Sequence, residues 1–138
     1  MKKIDKKDIV FTNDGSPTMD MIYGEDVGKM NVLAMINKEC YRNKSFEGFI
    51  NVGTGIQTSV MELCRTIKYL LEFAGFDCSS SKIILPEKGN ENFENHNFVN
   101  WRQANIDLMK EMLGYYDYDV KNGLSKTIQS ILRERNLV

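Results

Sequence analysis

Hydrophobic and polar positions divide the chain into short runs of differing period. Ile9 to Thr12 is a β-rich run closed by Asn13-Asp14-Gly15-Ser16-Pro17. That cluster turns a chain, because Asn and Asp bond nearby backbone, Gly admits positive φ and Pro fixes φ. Met21 to Tyr23 reads as a second short strand. Asp26 carries an N-capping side chain, and Val27, Met30, Leu33 and Ala34 recur at helical spacing after it. They predict a helix with one apolar face, continuing to about Tyr41-Arg42-Asn43. Glu47 to Val52 reads as a strand ending in Gly53-Thr54-Gly55. Ser59-Val60-Met61-Glu62 is a capping box, in which Ser and Glu satisfy each other's free backbone amides. Val60, Leu63, Ile67, Leu70 and Leu71 extend it into an amphipathic helix that ends near Gly75. Lys82 to Leu85 is a third strand, stopped by Pro86.

Glu87 to Trp101 is the least regular stretch, rich in Asn and Glu, with Phe93, Phe98 and Trp101 spaced along it. Such a segment suits a binding loop or an interface. A short helix opens at Asn105-Ile106-Asp107 and closes at Leu113-Gly114. Val120, Leu124, Ile128, Ile131 and Leu132 mark the stripe of a last helix reaching about Arg135. The fold expected is mixed α/β (α+β), a single domain of a few short strands and about four helices. Strands so few and short make no comfortable independent sheet.

Composition narrows the classes of function. The 138 residues are 42% apolar and 27% charged, a soluble globular balance. A net charge of -1 offers no basic field for nucleic acid. No apolar run nears the roughly 20 residues of a membrane helix, and the charged start lacks the apolar core of a signal peptide. Cys40, Cys64 and Cys78 are scattered, read as small apolar fillers in a reducing cytoplasm.

Candidate chemistry is sparse. Val52-Gly53-Thr54-Gly55-Ile56-Gln57-Thr58 holds two glycines of a dinucleotide fingerprint, but Thr58 replaces the third and Glu72 lies within a helix. A turn needing glycine geometry is the preferred reading; an anion site at the following helix N-terminus is the alternative. His96, the only histidine, has no nucleophile marked beside it and reads as solvated. Asp14, Asp20, Glu25 and Asp26 could divide acid and base work, although turn and cap roles account for Asp14 and Asp26. Lys88 and Arg102 flank the irregular loop, as phosphate-binding cations or as ordinary surface charge.

Three segments in order carry a family resemblance: Phe11 through Asp14-Gly15 to Met19-Asp20 and Val27, Phe49-Ile50-Asn51-Val52-Gly53-Thr54-Gly55 with Ser59-Val60-Met61-Glu62-Leu63, and Asn105 through Leu113-Gly114-Tyr115 to Gly123-Leu124 and Thr127-Ile128. Together they resemble the carboxyl-terminal, substrate-binding part of extended short-chain dehydrogenase/reductases, the NAD-dependent nucleotide-sugar epimerases and dehydratases. The resemblance implies a nucleotide sugar as ligand, with Asp20, Lys88 and Arg102 as substrate-binding residues. It implies NAD or NADP in the complete enzyme and no cofactor bound by this chain alone. The Rossmann domain, with its Tyr-x-x-x-Lys pair, would be missing here, either because the chain is a piece of a longer enzyme or because a separate unit supplies it. No tyrosine of the chain has lysine four residues on. Met19 stands where the family has arginine, Lys88 where it has a second arginine, and Asn105 where it has aspartate. The expected partners are that unit and a second copy of the chain, with neither nucleic acid nor membrane. A non-catalytic binding or assembly module is the rival expectation, and a small hydrolase is the third.

Overall fold

The computed structural model describes residues 7–37, 49–86, 101–114 and 119–137. Strand β1 (Ile9–Val10) pairs in parallel with β4 (Ile83–Ile84), Ile9 opposite Ile83. The other three strands form a second sheet. Its centre is β2 (Thr18–Asp20), antiparallel to β3 (Gln57–Ser59) and parallel to β5 (Trp101–Arg102). Four helices, α1 (Gly24–Ile36), α2 (Val60–Phe73), α3 (Asp107–Leu113) and α4 (Val120–Glu134), complete the described fold. The mixed architecture of short strands and four helices is the one expected.

The helices hold the core because the strands are too short to do so. Met30 of α1 is buried against Ile106, Met109, Met112 and Leu113, with Ile22, Leu33 and Val52 packed around them. A second cluster joins Phe76 and Cys78 to Leu132 of α4, flanked by Leu71 and Ile128. Each such side chain contributes about 1.5–3 kcal/mol by leaving water. Cys78 is thus an apolar filler, Cys64 is half-buried, and Cys40 lies outside the described residues.

Several boundaries fall elsewhere than the pattern predicts. The strand expected at Met21–Tyr23 lies three residues earlier, where Thr18–Asp20 meets partners on both sides. Tyr23 is instead the N-cap residue of α1, its carbonyl accepting from the amides of Asp26 and Val27. Asp26 therefore sits inside the first turn, 3.0 Å from Lys29, and caps nothing. Helix α1 ends at Ile36 with Asn37 as its C-cap, and Tyr41–Asn43 lie outside the described residues. Residues 49–52 are not a strand; the third ladder partner is Gln57–Ser59, beyond the glycine turn. Trp101 is not the end of a loop but the first residue of β5, paired with Thr18.

The capping box of α2 forms as read. Glu62 N donates to Ser59 Oγ at 3.1 Å, and Ser59 N to Glu62 Oε2 at 2.9 Å. Ser59→Ala should therefore cost about 1 kcal/mol. Urea denaturation followed by circular dichroism checks this; an unchanged midpoint would show that the cap does not support α2.

Candidate functional site

β2 alternates its side chains across the sheet. Asp20 points to one face and Met19 to the other. The Asp20 carboxylate is nearly saturated with donors. Oδ1 accepts from Thr54 N at 2.7 Å and Thr54 Oγ1 at 2.6 Å; Oδ2 accepts from Gly55 N at 2.9 Å and Ala104 N at 3.2 Å. Partial burial opposes its ionisation, but the Thr54 hydroxyl and the three amides outweigh that and hold the carboxyl below its ordinary value.

This carboxylate explains both glycines of the turn. A Cβ on Gly53 would lie 2.7 Å from Asp20 Oδ2 and 2.9 Å from Ala104 Cβ. Gly55 has φ +71°, and its Cβ would meet Ile106 Cδ1 at 2.7 Å. Around them Gln103 Nε2 donates to the Gly55 carbonyl, and Gln57 Nε2 to Gln103 Oε1 at 3.3 Å. Nothing in the sequence marks Gln103 or the Ala104 amide as part of this arrangement.

The dinucleotide alternative fails here on chemistry. A pyrophosphate would need the amides of the glycine turn, and those of Thr54 and Gly55 already serve Asp20. The N-terminus of α2 is likewise taken: Val60 N, Met61 N and Glu62 N donate to Pro17 O, Gly15 O and Ser59 Oγ. The anion at this turn is the chain's own aspartate.

On the opposite face, Met19 pairs with Thr58 on one side and Arg102 on the other. Paired residues project to the same face, on strands about 4.8 Å apart. The exposed Arg102 guanidinium makes no ion pair with a described residue. Arg102 and Asp20 thus belong to one small sheet but to opposite faces of it. Lys88 and His96 lie outside the described residues.

The acidic cluster does not converge. Asp14 accepts from the Ser16 hydroxyl and amide, which lower its pKa, and so serves the turn. Glu25 lies 3.3 Å from Lys29 and 3.4 Å from Lys126, while Asp26 lies 3.0 Å from Lys29. Among the described residues no three His, Cys, Asp or Glu side chains are grouped to hold a metal ion. No described helix is long and apolar enough to cross a membrane.

No protein-family profile matches the chain. A protein of Methanocaldococcus jannaschii, provisionally named a UDP-glucose 4-epimerase, is 34% identical over 74 residues, 54% of this chain and 22% of that protein. The fold is similar to that of UDP-N-acetylglucosamine 4-epimerase from Methanobrevibacter ruminantium in complex with UDP-N-acetylmuramic acid, at TM-score 0.67 and 19% identity. It is also similar to UDP-glucose 4-epimerase from Thermotoga maritima with UDP-glucose, at TM-score 0.64 and 25% identity. Each likeness covers 92% of this chain and 35% of the other. UDP-glucuronic acid 4-epimerase from Bacillus cereus, in complex with NAD, gives TM-score 0.53 and 21% identity over 86% of this chain and 32% of its own. The matches therefore span about a third or less of each relative's length. The likeness to extended short-chain dehydrogenase/reductases read from the motifs holds in both sequence and fold.

Because its folded pKa is depressed, Asp20 contributes stability that is present above the unfolded value of about 3.9 and lost as pH falls through the folded one. Asp20→Asn should lower stability at pH 7 by about 2 kcal/mol and flatten its loss as pH falls through and below the ordinary carboxylate value of about 3.9. Urea denaturation across that range checks both; parallel pH profiles would show that Asp20 is not the acid-labile clasp.

Proposed function

We propose that this chain is the sugar-nucleotide-binding portion of an NAD(P)-dependent nucleotide-sugar epimerase or dehydratase, with Arg102 as the cation that meets the diphosphate. The observation that carries this reading is the register Met19–Arg102 between β2 and β5. A thioether cannot bind phosphate, but a guanidinium one strand away stands on the same face and can grip two phosphate oxygens at once. Lys88 is the second candidate cation, by its place in the motif alone. Asp20 acts on the substrate through backbone: its oxygens are occupied, so it fixes the strand positions from which Arg102 reaches out.

NAD or NADP supplies the chemistry of such enzymes, taking and returning a hydride at a sugar carbon. The glycine turn of this chain does not fit a dinucleotide, so the cofactor and the Tyr-x-x-x-Lys pair come, in this reading, from a Rossmann unit. The role left to these residues is to bind and orient the nucleotide sugar. The setting is cytoplasmic. Met19 and the absence of a Tyr-x-x-x-Lys spacing favour a second reading, a binding or assembly module without catalysis.

Titration calorimetry with UDP-glucose tests the site. Arg102→Ala should weaken binding about tenfold, near 1.4 kcal/mol, and Arg102→Lys less. No saturable heat from the unaltered chain would remove the sugar-nucleotide reading; equal affinity in Arg102→Ala would remove Arg102 from it. NADH should give no stoichiometric binding to the chain alone, and tight binding would refute the division of labour.

Helix α1 exposes Val32, Met35 and Ile36, three apolar side chains on one stripe. Self-association through such surfaces should appear in sedimentation velocity as a concentration-dependent shift. A single monomeric boundary at high concentration would contradict it.

A further inference from the structure

The sheet face opposite Arg102 carries a hollow of about 500 Å³ that no part of the preceding reading uses. Trp101, Thr54, Gln103, Asn105, Asp107 and Lys110 are among its lining residues. Its two walls are the glycine turn and the segment after β5. They are tied twice: the Asp20 carboxylate accepts from Thr54 N, Gly55 N and Ala104 N, and the Gln103 side chain donates to the Gly55 carbonyl. The hollow is therefore held open before any ligand arrives, which lowers the ordering cost of binding.

At its rim Trp101 is 67% exposed, the chain's single tryptophan. A large indole face left in water beside a concave polar surface is an unfilled stacking platform. In the same lining, Asn105 Oδ1 accepts from Asp107 N at 3.0 Å, and the Asn105 amide nitrogen is a donor. The Asp107 carboxylate accepts only. A donor and an acceptor two residues apart, lining the same hollow as an exposed indole, suit neighbouring hydroxyls on a ring whose other side is C–H. Asp107 and Lys110 bring opposite charges to the hollow, which favours a neutral ligand over a phosphate.

The geometry points to a pyranose-binding site in this hollow, in which Trp101 stacks on the sugar ring and Asn105 and Asp107 engage its hydroxyls. It is separate from the Arg102 face and does not depend on the diphosphate reading. The ligand is a hexose unit, free or as part of a glycan.

Fluorescence of the single tryptophan reports the site directly. Methyl α-D-glucopyranoside, methyl α-D-galactopyranoside and N-acetylglucosamine are titrated into the intact chain, with uridine as the flat-ring comparison. At least one pyranose should shift the emission saturably, with half-saturation on the order of 1 mM. Asn105→Ala and Asp107→Asn should each raise that concentration about tenfold. Uridine saturating as well as the sugars, no saturation by any pyranose, or variants titrating like the parent would each overturn the site. Saturation-transfer NMR on the unaltered chain gives a measurement free of folding effects. Transfer to the C–H protons of the glycoside ring supports stacking on Trp101, and its absence at the same concentrations overturns it.

Discussion

One partly buried carboxylate organises this structure. Burying a charge costs several kcal/mol unless donors replace water, and here one hydroxyl and three backbone amides do so. The donors come from residues 34, 35 and 84 positions away along the chain, so Asp20 closes two large loops on the end of a three-residue strand. The entropy of closing loops grows only slowly with their length, so concentrating the hydrogen bonds at one acceptor is an efficient way to meet it. The partners are unsuited to any other anion once they are engaged. A glycine-rich turn ahead of a capped helix, which elsewhere cradles a phosphate, is here an internal joint.

The joint also divides the sheet into two chemically different faces. Strand alternation sends Asp20 inward to the glycine turn and Met19 outward, and the ladder then decides what accompanies each. Thr58 and Arg102 share the face of Met19. Trp101 and Gln103 share the side of Asp20, with the hollow beyond. A sheet this small could not hold such a division unaided. It is supported by the methionine-rich cluster of Met30, Met109 and Met112, whose flexible side chains fill the irregular space between α1 and α3.

Much of this was legible in the residue pattern where a local interaction decides the outcome. The capping box at Ser59–Glu62, the turn at Asn13–Pro17, the short helix ending at Gly114 and the stripe of α4 all follow from neighbours a few positions apart. The pattern misleads where a distant partner decides. Met21–Tyr23 and Glu47–Val52 are more apolar than Thr18–Asp20 and Gln57–Ser59, so apolar content alone does not mark which residues find a ladder. Trp101–Arg102 is too short to read as a strand without Thr18–Met19 beside it. Of the candidate residues, Asp20 stands at a motif position and Arg102 is visible only as a cation flanking the irregular loop. That they lie on opposite faces is a matter of register, which two-residue strands do not encode.

The same register bears on how a lost ligand group can be recovered. A substitution at Met19 is not compensated by its sequence neighbours, Thr18 and Asp20, because both project to the other face. In the function proposed, it is compensated by the residue opposite it in the ladder, which can belong to a segment more than eighty positions away. Arg102 occupies that place. Its usefulness there depends on the two strands staying in step, and the contact nearest the end of the ladder that keeps them so is Asp20 with the Ala104 amide, two residues beyond Arg102. The aspartate that blocks the glycine turn to an outside anion is thus the group that keeps a cation in position on the far side of the sheet.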